Sequence, residues 1–131
     1  MAGYAPIEIP PVTVVNKNDG GATETVILTT SPVSTPGPNA TVSITGVITM
    51  ITGTGVTEVG VAVRRGTTTA GTLVGKVIDN DAVGGAPYAI PFAVEDQPGD
   101  VAGQEYVVTV VEYSATANGE VTYGFVGGTI S

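Results

Sequence analysis

Apolar and polar residues alternate along most of this chain with the two-residue period of a half-buried β-strand. The clearest case is ATVSITGVITMI, residues 40–51. Val42, Ile44, Ile48 and Met50 share one face, and Thr41, Ser43, Thr45 and Thr49 share the other. GVTEVGVAVRRG (55–66) repeats the pattern with Val59, Val61 and Val63 inward. PYAIPFAVE (87–95) sets Tyr88, Ile90, Phe92 and Val94 on one face, and Pro91 restricts it to a sheet edge. QEYVVTVVEYSA (104–115) is apolar on both faces, which predicts a central strand. VTVVN (12–16), ATETVILTT (22–30), GTLVGKVID (71–79) and EVTYGFVGGTIS (120–131) complete a set of about eight strands.

Turn chemistry separates these runs. KNDGG (17–21) is a turn, SPVSTPGPN (31–39) a proline-rich loop, and NDAVGGA (80–86) and DQPGDVAG (96–103) two further loops. TANG (116–119) predicts a hairpin, because Asn-Gly favours a type I′ turn. Gly46, inside a strand, predicts a bulge or a close backbone approach. No segment carries a helical period. The expected fold is an all-β, antiparallel β-sandwich, jelly-roll-like, with an immunoglobulin-like sandwich as the alternative. Residues 12–131 form one domain. Residues 1–11, with Pro6, Pro10 and Pro11 beside Ile7 and Ile9, read as an extended arm serving assembly.

Composition narrows the function classes. A chain of 131 residues can bury a sizeable core without a disulfide, and it has no cysteine. Twelve acidic residues against four basic ones give a net charge of −8, which argues against binding nucleic acid or an anionic membrane surface. Histidine is absent too, so the usual catalytic bases, nucleophilic thiols and transition-metal ligands are missing. No cofactor is implied. Two acidic loops, Asp79 with Asp81 and Glu95, Asp96 with Asp100, offer the hard oxygen ligands that calcium takes, with Asp79, Asp81, Asp96 and Asp100 the candidates, and DNDAVGGAPYAI breaks the EF-hand pattern at Val83 and Ile90. Their ordinary role is to solvate loops. Tyr88, Phe92, Tyr106, Tyr123 and Phe125 fall on apolar strand faces and are expected in the core, with Tyr4 and Tyr113 freer.

Two of the four basic residues stand together, Arg64 and Arg65. Neighbours in a strand point to opposite faces. Arg65 therefore continues the inward face of Val59, Val61 and Val63 at the rim of the core, and Arg64 points the other way. At such a rim the stem can pack while the planar fork holds a carboxylate. Glu58, Asp96 and Asp100 are the candidates, most usefully across a subunit interface.

The segment TGTGVTEVGVAVRRGTTTAGTLVG, followed by Asp96, Pro98, Ala102, Gly103, Tyr106, Val108 and Val110 of VEDQPGDVAGQEYVVTVV, resembles small accessory virion proteins of tailed bacteriophages. These are capsid decoration proteins and head-fibre or tail β-domains, and the resemblance spans roughly residues 40–115. It implies a non-enzymatic structural protein of the virion, assembled in the host cytoplasm, often a homotrimer seated on a major capsid protein or another virion protein. Ile7, Ile9, Pro10, Pro11, Arg64 and Arg65 are then the expected interface residues. The lack of a catalytic set, the few lysines, the threonine-covered surface, the proline-rich arm and the acidic loops equally suit a carbohydrate-binding or adhesin-type module.

Overall fold

The computed structural model describes residues 2–15, 23–80 and 87–131, with side chains from residue 7 onward. Within them the chain is all β, with nine strands: β1 (Ala2–Ile9), β2 (Val12–Val14), β3 (Thr25–Thr29), β4 (Val42–Ile51), β5 (Glu58–Arg65), β6 (Leu73–Asp79), β7 (Pro87–Asp96), β8 (Tyr106–Tyr113) and β9 (Gly119–Ile130). The turn expected at 17–21 and residues 81–86 of the following loop lie outside the described residues.

The strands form two antiparallel sheets. Sheet A runs β1-β9-β4-β7, with β2 also paired to β9; sheet B runs β3-β8-β5-β6. β1 and β2 use successive stretches of the same neighbour, Ile9 opposite Gly124 and Val12 opposite Val121, so they act as one strand broken at Pro10–Pro11. The result is the antiparallel sandwich that the alternation predicts, with layers of five and four strands. Its strand order is not that of the immunoglobulin sandwich.

The ninth strand corrects one expectation. The expectation is an extended arm over residues 1–11, yet residues 2–9 pair with β9 of their own domain. Prolines are tolerated because β1 is an edge strand, and the register shifts between Tyr4 and Ile7, around Pro6. Ile9 is 1 % exposed and belongs to the chain's own core.

The core lies between the sheets. Val42, Ile44, Ile48 and Met50 of β4 meet Val59, Val61 and Val63 of β5 and Val108 and Val110 of β8, all of them buried. β8 is interior to sheet B and buried on both faces, as its sequence predicts. β7 is an edge, as Pro91 requires. Gly46 marks a close approach and not a bulge: its pairing with Phe92 is regular, and a Cβ there would stand 2.7 Å from the Phe92 ring.

The Asn-Gly hairpin expectation is overturned. β8 and β9 belong to different sheets, so residues 114–118 form a crossover between layers. Its positive-φ residue is Ser114, at 62°. Gly119 is glycine for a packing reason, because a Cβ there would collide with the carboxylate of Glu112.

Ile9→Ala should destabilise the chain by roughly 2–5 kcal/mol, the usual penalty for a buried large-to-small change. Pro10→Ala, at an exposed position, should stay within about 0.5 kcal/mol of the parent. Urea denaturation checks both, and equal, small effects would return residues 2–9 to the status of a loose arm.

Candidate functional site

Both arginines are held by carboxylates of their own chain. Arg65, at the last position of β5 and directly opposite Tyr106, lies on the inward face, as expected. Its Nε donates to Asp96 Oδ2 at 2.9 Å and its Nη2 to Oδ1 at 2.7 Å. The Tyr106 hydroxyl donates to the same Oδ2 at 2.9 Å. Asp96 ends β7 in sheet A, while Arg65 and Tyr106 belong to sheet B, so this triad ties the two layers together at one end of the sandwich. Burial pushes the Asp96 carboxyl up, but the hydrogen bonds of Arg65 and Tyr106 outweigh it and hold the group below its ordinary range.

Arg64 lies on the outer face of sheet B. Its Nε donates to Glu24 Oε2 at 2.9 Å, its Nη2 to Oε1 at 2.7 Å and its Nη1 to the Gly71 carbonyl at 3.1 Å. Thr109 also donates to Glu24, at 3.2 Å. The pair therefore arches over β8 from β5 to the start of β3. Hydrogen bonding by Arg64 lowers the Glu24 pKa. Lys76 completes this cover. Its ammonium stands 5.1 Å from the Tyr113 ring centroid and donates to the Tyr113 hydroxyl. Its stem crosses Gly60, where a Cβ would lie 2.8 Å from Lys76 Cε. Beneath these long side chains Ala62, Val107, Thr109 and Val111, all on the outer face, are buried.

The far end of the sandwich is braced by a third carboxylate. Glu112 is 5 % exposed, and its Oε2 accepts the Gly53 amide at 2.6 Å. Oε1 has no hydrogen-bond partner among the described residues. Burial raises its pKa, against the opposing effect of the Gly53 and Gly119 amides. Gly53 lies in the β4–β5 crossover and Gly119 follows the β8–β9 crossover. The two crossovers also bond directly, Thr116 N to Thr54 O at 2.7 Å.

The outer face of sheet A has no such cover. Across its middle, Glu8, Phe125, Val47 and Pro91 stand side by side on β1, β9, β4 and β7. The next row holds Tyr123, Thr49 and Ala89. Tyr123 is 51 % exposed and Phe125 42 %. Both were expected in the core with Phe92 and Tyr106, which are buried there; Tyr88 is half-buried. The register shift between Thr49 and Met50 displaces the alternation of β9, so Val121 faces inward and Tyr123 outward. No strand of sheet A contains Lys or Arg. Its outward charges are Glu8, Glu95 and Glu120, all exposed.

The predicted site residues thus separate. Ile9 is core and Ile7 half-buried opposite Val126. Pro10 and Pro11 are exposed in the register gap beside Thr122 and Tyr123, so they flank the bare face. Among the calcium candidates, Asp96 faces a guanidinium and Asp79 accepts from the Tyr88 hydroxyl. Asp100 is exposed, and Asp81 lies outside the described residues. No group of three or more potential metal ligands comes together among the described residues. Glu24 and Glu112, the two carboxylates that brace the fold with Asp96, were missed. Strand order and the choice of crossover decide their partners, and neither is written in local pattern.

No protein-family model and no curated protein matches the chain in sequence. Solved structures do match in shape. A structure of infectious bursal disease virus, Gx strain, matches 97 % of the chain at TM-score 0.63 and 12 % identity. The VP2 subviral particle of the same virus matches 97 % at TM-score 0.61 and 11 % identity. The C-terminal domain of EclA, a sugar-binding protein, covers 90 % of the chain and 77 % of its own length at TM-score 0.45 and 14 % identity. The chain spans 32 % of the length of each viral chain. At these identities the viral likeness shows a shared fold.

Asp96→Asn should lower stability by roughly 2 kcal/mol, the scale of charged hydrogen bonds lost. That corresponds to a Tm drop on the order of 5–10 °C. The pH profile should separate the carboxylates. The folded-state pKa values of Asp96 and Glu24 are depressed, so their contribution is present above the ordinary carboxylate value and is lost as pH falls through the folded value. That of Glu112 is raised above 4.5, so its ionisation destabilises as pH rises from there through the folded value. In Tm measured against pH, Asp96→Asn should flatten the acid limb and Glu112→Gln the decline above it. Superimposable profiles for the two variants would contradict these assignments.

Proposed function

We propose that this chain is a non-enzymatic structural component of a virus particle, a capsid-decorating or head-fibre part of a tailed bacteriophage. The observation that carries the reading is the contrast between the two outer faces. Sheet B has its middle strands roofed by its own Arg64, Glu24, Lys76 and Tyr113 and exposes large apolar side chains, Val26, Leu73 and Ile78, only on its edge strands. Sheet A exposes Tyr123 and Phe125 on a face whose charges are the three carboxylates of Glu8, Glu95 and Glu120. Apolar side chains that stand together on the middle strands of an exposed sheet are the kind of patch that marks an interaction site. Asp96, at the end of β7, ties that sheet to the one behind it through Arg65 and Tyr106, as suits a part that packs against others. The fold shared with virus-particle structures supports the same reading by analogy. The resemblance in residues 40–115 supplies its finer terms: location in the virion, assembly in the host cytoplasm and a homotrimer.

A second reading has one observation in its favour. Tyr123 and Phe125 are two residues apart on one strand face, the spacing of a flat stacking platform for a sugar. Carbohydrate binding by an adhesin-type module is therefore the alternative.

Two measurements test the proposal. Quantitative mass spectrometry of purified particles should find the chain at a fixed copy number relative to the major capsid protein, and light scattering should give three times the chain mass. Absence from the particle would end the virion reading. A monomer retained on a glycan array would favour the alternative.

A further inference from the structure

We propose that the outer face of sheet A docks a different protein, one whose contact surface has an apolar centre and a margin of Lys and Arg. The inference deepens the structural-component reading and rests on it for the kind of partner. Phe125 and Tyr123, with Val47 and Pro91 beside them, supply a central apolar anchor of the sort that dominates binding energy. Glu8 on one edge strand, Glu95 near the end of the other and Glu120 at the start of β9 mark the margin.

Charge excludes a second copy as the occupant. A two-fold pairing of this face with itself would set carboxylate against carboxylate, because none of its strands carries a cation. The described cations of the chain are Arg64, Arg65 and Lys76, all on β5 and β6 of the other sheet. Both arginines are already held in bidentate pairs. Stacking sheet A of one copy on sheet B of the next joins opposite faces of the sandwich, a head-to-tail contact that gives an open stack and no small closed ring. A foreign surface with a basic margin satisfies both the apolar centre and the acidic rim.

The test uses the full chain and shells of the major capsid protein, purified from the particle and freed of the chain. Co-sedimentation gives Kd at several salt concentrations. The double variant Tyr123→Ser/Phe125→Ser should keep the parent's Tm and weaken binding by about tenfold or more. The triple variant Glu8→Gln/Glu95→Gln/Glu120→Gln should weaken binding at low salt and flatten its salt dependence. Leu73→Ser/Ile78→Ser, on the exposed outer face of sheet B, should leave Kd unchanged. Binding that survives the Tyr123/Phe125 change, or that is lost through Leu73/Ile78 instead, overturns the docking face while the structural reading stands. A parent dimer dissolved by Tyr123→Ser/Phe125→Ser makes the occupant a second copy and overturns the proposal, as does retention on a glycan array abolished by the same change. A parent chain that binds no shell at all defeats the structural reading itself.

Discussion

Two sheets packed face to face are held by apolar contact, which is non-directional and leaves their relative position loosely specified. In this chain the Arg65–Asp96 pair supplies the missing direction. The guanidinium comes from sheet B and the carboxylate from sheet A, and the Tyr106 hydroxyl closes the triad by donating to the Oδ2 that also accepts Arg65 Nε. The Asp96 side chain is only 9 % exposed, so a rotation or slide of one sheet would leave a nearly buried charge without its partner. Register across β5, β8 and β7 therefore depends on this contact at one end. At the other end Glu112 serves the same purpose through backbone amides, pinning the neighbourhood of the two crossovers that carry the chain between layers.

The two ends are braced differently, and the difference is electrostatic. Asp96 meets a full positive charge and prefers to be ionised. Glu112 meets amide dipoles, keeps one oxygen without a partner among the described residues, and is pushed by burial towards its neutral form. One fold thus contains carboxylates whose preferences run in opposite directions with pH. The sandwich is held most firmly where the first is charged and the second is not yet forced to be.

The bracing also shapes the surface. With so few charged residues, the chain covers one sheet only. Arg64 and Lys76 lie along sheet B with their stems over Val107, Ala62 and Gly60, and the middle of sheet A is left with short side chains, a proline and two aromatics inside a margin of Glu8, Glu95 and Glu120. The asymmetry gives the molecule one side whose middle strands are covered and one side whose middle strands are bare.

Much of this was legible in the residues themselves. Strict alternation located β4 to β9 within a few residues, Pro91 marked an edge, the double apolar face of β8 marked a centre, and the Arg64–Arg65 step placed one guanidinium inward and one outward. These features depend on the two-residue period of a strand and on the missing amide of proline, both local properties. Strand order, crossovers and a shift in pairing are not local. They decided that residues 2–9 cover β9, that Asn118–Gly119 leads into the opposite sheet, that Glu24 reaches Arg64 across β8, and that Tyr123 and Phe125 face outward. A side chain's face follows from its own strand. Its partner follows from which strand lies beside it, and only the packing of the whole chain sets that.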